Sequence, residues 1–111
     1  METWIDNNTG LEWMVYERGI TKRSWDEVLT YPSGSLEDES WRVPTMQDIH
    51  TVIDFSKETL LKDGVPFEGL HIWINQEKTP DQAWNVAFFD GNLYASSKIN
   101  KRDLVFVRNV E

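Results

Sequence analysis

The chain has 111 residues, enough for one domain with a single core, and we predict one domain over residues 1–111. A net charge of −8 argues against binding of nucleic acid or anionic membrane, and the absence of cysteine excludes disulfides, thiolate metal sites and a cysteine nucleophile. Residues 1–60 carry −7 of this charge and residues 61–111 carry −1, so we expect the acidic surface in the first half.

The first predicted element is a β-hairpin. Two apolar runs, 4–6 and 11–16, flank Asn7-Asn8-Thr9-Gly10, and Asn and Gly tolerate the positive φ that tight turns need. Alternation along the strands predicts one row of core-facing side chains, which are Trp4, Leu11, Trp13 and Val15.

The first helix is predicted at Ser24-Trp25-Asp26-Glu27, which has the spacing of a capping box. Because Tyr31 precedes Pro32 and is disfavoured in the α region, we expect this helix to be short. The segment 32–35 and the acidic run that follows it are predicted to form a surface loop.

A second helix is predicted after Thr45, a candidate N-cap with Asp48 three residues further on. Its apolar face would contain Met46, Ile49, Val52 and Ile53. Its polar face would contain Gln47, Asp48, Thr51 and Asp54. Residues 57–70 are interpreted as a polar, irregular connection with a helical turn near residues 59–62.

The remainder of the chain is predicted to be β. We place strands at 71–75, 83–89, 92–96 and 104–110, with Asp90-Gly91 as a two-residue hairpin turn. The predicted order is β-β-α-α-β-β-β-β, which is typical of an α+β domain with its helices grouped early.

Five segments occur in a familiar order: WIDNNTGLEWMV, SWDEVLTY, WRVPTMQDIHTVID, AWNVAFFDG and VFVRNV. Together they resemble the Lcl C-terminal domain family, found at the end of bacterial collagen-like adhesins, and the most specific part is Trp41 to Thr45. The resemblance implies an α+β, C-type-lectin-like fold. Two helices would pack on twisted antiparallel sheets, with the N- and C-terminal strands close together. It also implies structural roles for Trp4, Trp13, Trp25 and Trp41.

The chain departs from the family pattern at three places. Pro32 and Asn109 stand where members often have cysteines, a joint loss expected in a reducing compartment. No basic and apolar leader is visible at the start, so we expect a cytoplasmic protein. Ile72-Trp73-Ile74-Asn75 replaces a Tyr-Trp-Ser-Ser segment near the ligand-facing side, so the ligands of secreted members need not carry over.

The sequence predicts neither a metal site nor a cofactor. Asp81, Gln82 and Asn85 offer too few oxygens, wrongly spaced, for the calcium site of related lectins. His50 and Asp54 share a helix face but supply only half of a metal site, so a solvated face is the preferred interpretation. Since no nucleophile elbow, phosphate loop or zinc-protease motif is present, we do not expect an enzyme.

We therefore predict a non-catalytic binding module that recognises a protein partner through loops carried on a sheet. The candidate partner-binding residues are Trp73, Asn75, Gln76, Asp81, Tyr94, Ser97, Lys98, Lys101 and Arg102. One alternative is a small acidic inhibitor, like phage anti-defence proteins, that blocks a nucleic-acid-binding complex. Its phosphate-mimicking residues would be Asp26, Glu27, Glu37, Asp38, Glu39 and Asp48. A second alternative, glycan or glycosaminoglycan binding, would use the small basic patch at 98–102.

Overall fold

A computed structural model describes residues 2–36, 40–58 and 60–110. Within these ranges the protein is a small mixed α+β domain, mostly β-sheet, with two short helices. The strands are β1 (Glu2–Asp6), β2 (Leu11–Tyr16), β3 (Lys22–Arg23), β4 (His71–Thr79), β5 (Gln82–Ala87), β6 (Asn92–Ser97) and β7 (Arg102–Asn109). The helices are α1 (Trp25–Ser35) and α2 (Met46–His50). Neither has the length and apolar character that a membrane-spanning helix requires.

The final strand, β7, lies at the centre of the sheet. The strand order is β1-β2-β7-β4-β5-β6, and β3 pairs beside β7. Strand β2 pairs with β7 from Leu11↔Asn109 to Tyr16↔Leu104, which confirms that the N- and C-terminal strands lie together. The prediction of purely antiparallel sheets is wrong for β4 and β7, which pair in parallel at Ile72↔Asp103. This pairing arises because the connection from β6 to β7 crosses β5 and β4 before β7 begins.

The N-terminal hairpin forms as predicted, and it buries more than the predicted row. Gly10 adopts a φ of 72° in the turn, and its N–H donates to the Asp6 carbonyl at 2.9 Å. Leu11, Trp13 and Val15 face one apolar cluster, against which Trp4 packs. Met14, on the opposite face of β2, belongs to a second cluster. Strand β2 therefore lies between two parts of the core.

Helix α1 continues through Pro32, so the predictions of a short helix and of a surface loop at 32–35 are both wrong. The Tyr31 ring lies 5.3 Å from the ring of Tyr16 and 6.0 Å from that of Phe106, and Pro32 is buried. A proline inside a helix loses the backbone bond to the residue four positions earlier. The contacts of Tyr31 with the sheet and the burial of Pro32 offset that loss.

Helix α2 begins at the predicted N-cap but ends after five residues, at His50. The Asp48 N–H donates to Thr45 Oγ1 at 3.2 Å, and the Asp48 carboxylate accepts from the Thr45 N–H at 2.8 Å. Ile49 and Val52 are fully buried, which confirms the apolar face.

Residues 57–70 contribute to the core, contrary to the prediction of a polar connection. Leu61, Phe67 and Leu70 are buried, and Leu61 forms an isolated bridge with Ile53. No helical turn forms in the described part of this segment; Thr59 lies outside the described residues. Three apolar side chains spaced six and three positions apart follow neither a helix nor a strand period, so periodicity did not identify them.

The later strands match the predicted ones with shifted ends. Strand β4 extends beyond the predicted end at residue 75 to Thr79 and turns at Pro80-Asp81 into β5, so residues 77–82 belong to a β-hairpin. Its residues 75–78 are all exposed and therefore lack the apolar alternation that marks a strand. The β5–β6 turn spans residues 88–91, because Ala87 pairs with Asn92. The short strand β3 was not predicted.

Candidate functional site

Trp73, which was predicted to contact a partner, is instead part of the core, with 1% of its surface exposed. Its indole N–H donates to the Arg23 carbonyl at 3.2 Å, and the Arg102 guanidinium lies 5.4 Å from its ring centre. The backbone next to α1 and the start of β7 cover this face of β4. The prediction of an exposed Trp73 is therefore wrong, since Arg23 and Arg102, which contact it, are distant in sequence and leave no local signal.

On the same face of the sheet, next to Trp73, a buried amide side chain bonds to residues of the two neighbouring strands. Asn85 on β5 has no exposed surface. Its Nδ2 donates to the Tyr94 carbonyl at 3.0 Å and to Ser96 Oγ at 2.9 Å, while its Oδ1 faces His71 Nε2 within hydrogen-bond distance. We call His71, Asn85, Tyr94 and Ser96 the amide network. It joins β4, β5 and β6 at side-chain level.

The amide network determines which nitrogen of His71 carries the proton. The Tyr94 carbonyl can only accept, so the Asn85 amide must present its NH₂ group to it. Asn85 Oδ1 then faces His71 Nε2, which must be the donor, leaving Nδ1 as the acceptor in the neutral ring. Burial, followed by the charge of Arg102, lowers the pKa of His71, although the bond to Asn85 opposes this shift. His71 is therefore a neutral imidazole at pH 7.

Tyr94 forms the exposed rim of the amide network, with 39% of its surface exposed. Its hydroxyl donates to Asp90 Oδ2, and the Asn92 N–H donates to Asp90 Oδ1 at 2.8 Å. These bonds lower the pKa of Asp90, and the first of them raises the pKa of Tyr94. The ring of Tyr94 is thus held in place on the sheet while one face remains accessible.

Lys98, a predicted partner-binding residue, is used internally, so that prediction is wrong. Its ammonium pairs with Glu77, donates to the Pro80 carbonyl at 2.8 Å and lies 4.6 Å from the Trp25 ring centre. Only 12% of its side chain is exposed. Lys98 joins α1 to the β4–β5 hairpin, since a long cationic side chain is stabilised by an aromatic face and a carboxylate together.

The other predicted partner-binding residues are accessible. Arg102 is half-buried over Trp73, next to the amide network. The exposed members are Asn75, Gln76, Asp81, Ser97 and Lys101. Asp81 and Ser97 lie together at the hairpin end, because Ser97 pairs with Gln82 and the Lys98 N–H donates to the Asp81 carbonyl at 2.9 Å. The face therefore has two adjoining parts: the amide network, and the hairpin end, by which we mean the exposed residues within 75–82 together with Ser97.

The predicted acidic surface is only partly available. Asp26 and Glu27 are exposed at the start of α1, where the N–H and hydroxyl of Ser24 bind the Glu27 carboxylate at 3.2 and 2.8 Å. Asp48, in contrast, is buried and pairs with Arg42 at 2.5 Å, so its prediction as a phosphate mimic is wrong. Arg42 precedes the N-cap Thr45, and its side chain extends forward to Asp48 in the first turn of α2. Glu37, Asp38 and Glu39 lie outside the described residues.

The described residues offer no metal site. Nowhere among them do three His, Asp or Glu side chains gather in a way that could hold a metal ion. Asn85, once considered as a calcium ligand, is fully buried with its amide bonded to neighbouring strands. A cleft of about 330 Å³ lies at the end of β2 and β7, lined by Glu12, Ser40, Arg108, Asn109 and Val110. It contains none of the predicted site residues.

Sequence reasoning missed His71 and Asn85 as site residues. His71 has no partner near it in sequence, since it meets Asn85 only through the β4–β5 pairing. A signal for Asn85 does exist: Ala83, Asn85 and Ala87 form one row of β5 by period-two alternation. A lone amide in a row of small apolar residues indicates a buried hydrogen-bonding group.

The sequence comparisons agree with the resemblance carried by the motifs. The family model for the Lcl C-terminal domain matches residues 2–110, nearly the whole chain. Comparison with curated proteins gives no match. Because the family match spans every described strand and helix, the chain belongs to the Lcl C-terminal domain family.

Proposed function

We propose that this protein is a non-catalytic binding module of C-type-lectin-like fold that recognises a protein partner. The binding face would consist of the amide network and the hairpin end. The main support for this proposal is one fully buried amide, Asn85, which links β4, β5 and β6 beneath accessible side chains. Such an arrangement holds a recognition surface in its bound form, which reduces the entropy lost on association.

The chemistry of the face supports binding rather than catalysis. His71 Nε2 bonds to an amide rather than to a carboxylate, and an amide carries no charge that would stabilise an imidazolium during proton transfer. Tyr94, Gln76 and Asn75 provide an aromatic ring and neutral polar groups, which are the usual components of a polar protein interface. Membership in the Lcl C-terminal domain family agrees with a binding role.

The finer fold assignment rests on the arrangement of the termini and the helices. Strand β2 pairs along the whole of β7, and α1 and α2 both contact β4. These features agree with a C-type-lectin-like domain. We place the protein in the cytoplasm, since residues that are often cysteines in the family are Pro32 and Asn109 here.

The acidic-inhibitor alternative is favoured by one observation, the exposed pair Asp26 and Glu27 at the start of α1. Binding by phosphate mimicry would weaken steeply as ionic strength rises, because it depends on exposed charges. Binding through Tyr94 and neutral side chains would change little with salt. Glycan binding would require a positive result from a glycan array with the folded chain.

The test is partner capture followed by matched variants. The chain is immobilised, a partner is captured from the native host, and its affinity for each variant is measured by interferometry. Tyr94→Ala and Gln76→Arg should each weaken binding at least about tenfold, as expected for residues at an interface centre. Two controls of similar exposure, Ile5→Ala on β1 and Gln47→Arg on α2, should leave binding within about twofold. Equal losses for variants and controls would contradict the proposal.

A further inference from the structure

Two arginines face each other across the β3–β7 pairing. The register places Arg23 directly opposite Arg102, and directly paired residues of an antiparallel ladder project from the same face. We call Arg23 and Arg102 the arginine pair. The sequence does not reveal it, since 78 residues separate the two arginines.

The arginine pair is not neutralised by an ion pair within the described residues. Arg23 Nη1 donates to the Lys22 carbonyl at 2.8 Å, and Arg102 Nη1 donates to the Lys101 carbonyl at 3.2 Å. The ion pairs found there use other cations, which are Arg18, Arg42, Lys57, Lys98 and Arg108. Each guanidinium of the pair thus keeps donors that no carboxylate of the described chain occupies.

Among the described residues, Glu27 and Asp103 are the carboxylates that act on the arginine pair by their charge; neither forms an ion pair with it, and one oxygen of Asp103 has no hydrogen-bond partner. Glu27 is held by Ser24, and its pKa is lowered mainly by those bonds, with Arg23 and Lys101 contributing at longer range. Asp103 is buried, and one of its oxygens accepts from the His71 N–H at 3.2 Å. With Lys101 exposed beside Arg102, three cations stand against Glu27 and Asp103 among the described residues here, on a chain of net charge −8.

We propose that the arginine pair, together with Lys101, binds a short acidic segment of the protein partner, an inference that rests on the proposed function. Guanidinium groups bind carboxylates in a planar, two-bond geometry. The Arg102 guanidinium is already oriented by the Trp73 ring, 5.4 Å away, which reduces the entropy lost on binding.

The limited size of this cationic surface favours a peptide over a long polyanion. Duplex DNA or a sulfated glycan would extend past three cations onto the acidic remainder of the chain. Screening acts over about 8 Å at physiological salt, so charges beyond the patch still repel such a ligand. A segment with a few carboxylates matches the patch without meeting that repulsion.

The experiment measures anisotropy of a labelled oligoglutamate peptide with the full chain, and an oligoglutamine peptide serves as the uncharged probe. We expect saturable binding of oligoglutamate only. The double change Arg23→Glu with Arg102→Glu should weaken it at least about tenfold. The control Lys57→Glu with Lys62→Glu changes net charge by the same amount away from the pair and from the proposed binding face, and should stay within about twofold. If the reversal variant fails to fold by circular dichroism, Arg23→Gln with Arg102→Gln replaces it, with the same expectation.

Three results would overturn the inference. They are equal losses for the arginine and lysine variants, no saturable binding of oligoglutamate, and tighter binding of heparin or duplex DNA than of the peptide. The captured partner separates this inference from the proposed function. If the captured partner no longer binds Tyr94→Ala but still binds the arginine variant, the acidic-segment inference is refuted and the proposed binding face is not. A partner unaffected by Tyr94→Ala and Gln76→Arg refutes the proposed binding face.

Discussion

At the scale of single residues, the arrangement of the proposed binding face depends on the buried Asn85. Its amide bonds to groups on two neighbouring strands, β4 and β6, and sets the tautomer of His71. The residue type and its row on β5 are readable from the sequence, but its partners are not, because they depend on strand register. Trp73 shows the same limit, since its contacts Arg23 and Arg102 lie 50 and 29 residues away in the sequence.

We predict that Asn85→Ala lowers the free energy of unfolding by roughly 1–3 kcal/mol. The substitution leaves a cavity and removes the partners of the Tyr94 carbonyl and of His71 Nε2. Urea denaturation followed by tryptophan fluorescence measures the change. The control Asn75→Ala alters an exposed amide and should change stability by less than about 0.5 kcal/mol. Equal effects of the two substitutions would mean that the amide network is not a stabilising element.

His71 predicts a pH dependence of stability. Burial lowers its pKa in the folded state, while the unfolded chain takes up that proton at about 6.5. The unfolded state therefore binds more protons below that pH, and stability should fall as the pH drops from 7.5 through 6.5. The decrease should stop once the pH is below the folded-state pKa.

Urea denaturation of the wild type and of His71→Gln over this pH range measures that contribution. The wild-type curve should fall relative to the variant as the pH decreases, because glutamine does not titrate. Parallel curves would show that the imidazole is not desolvated. Proton NMR of the His50→Gln variant, which retains a single histidine, gives the folded-state pKa of His71 directly.

At the scale of elements, start signals were more informative than end signals. Both N-caps, Ser24 and Thr45, lie where the capping patterns predicted. The ends differed, because Pro32 is accommodated by packing against the sheet and α2 ends at His50. Local rules describe the isolated backbone, whereas the end of an element depends on what its side chains contact.

Asp48 allows a test of the α2 cap. We predict that Asp48→Ala lowers the free energy of unfolding by roughly 2–3 kcal/mol, since it removes an ion pair with Arg42 and the bond to the Thr45 N–H. Burial opposes ionisation of Asp48, but the bonds to Arg42 and Thr45 outweigh it and lower its pKa.

Thermal or urea unfolding of Asp48→Ala checks the prediction, with Asp26→Ala as the control. Asp26 is also acidic and in the first turn of its helix, but it is exposed. Its removal should cost less than about 1 kcal/mol. A loss no larger for Asp48→Ala than for the control would contradict the assigned cap. The stability that Asp48 contributes should also decrease in acid, as the pH falls below about 3.9, the pKa of this carboxyl group in the unfolded chain.

At the scale of the whole molecule, β7 connects the two halves of the sheet. It pairs with β2 and β3 along one edge and with β4 along the other, and its two faces contribute to both apolar clusters. The pairing of the N-terminal hairpin, through β2, with the last strand was predicted from the family resemblance. The parallel β4–β7 pairing was not, because it follows from the path of the chain between β6 and β7.

This arrangement predicts that both halves unfold together. Tryptophan fluorescence reports on residues in both clusters, such as Trp13 and Trp25, and far-UV circular dichroism reports on the sheet. The two signals should give one urea transition with the same midpoint, as for a two-state domain. Separate midpoints would show that β1 and β2 form a unit independent of β4, β5 and β6.

The central claim is that a preformed sheet face binds a protein partner. Amide chemical shifts of the full chain, titrated with the captured partner, test it most directly. The account predicts changes concentrated at Gln76, Tyr94, Ser97 and Arg102, with the amides of α2 and β1 unchanged. Changes concentrated on α2, on β1 or at Asp26 and Glu27, with Tyr94 and Arg102 unaffected, would contradict it.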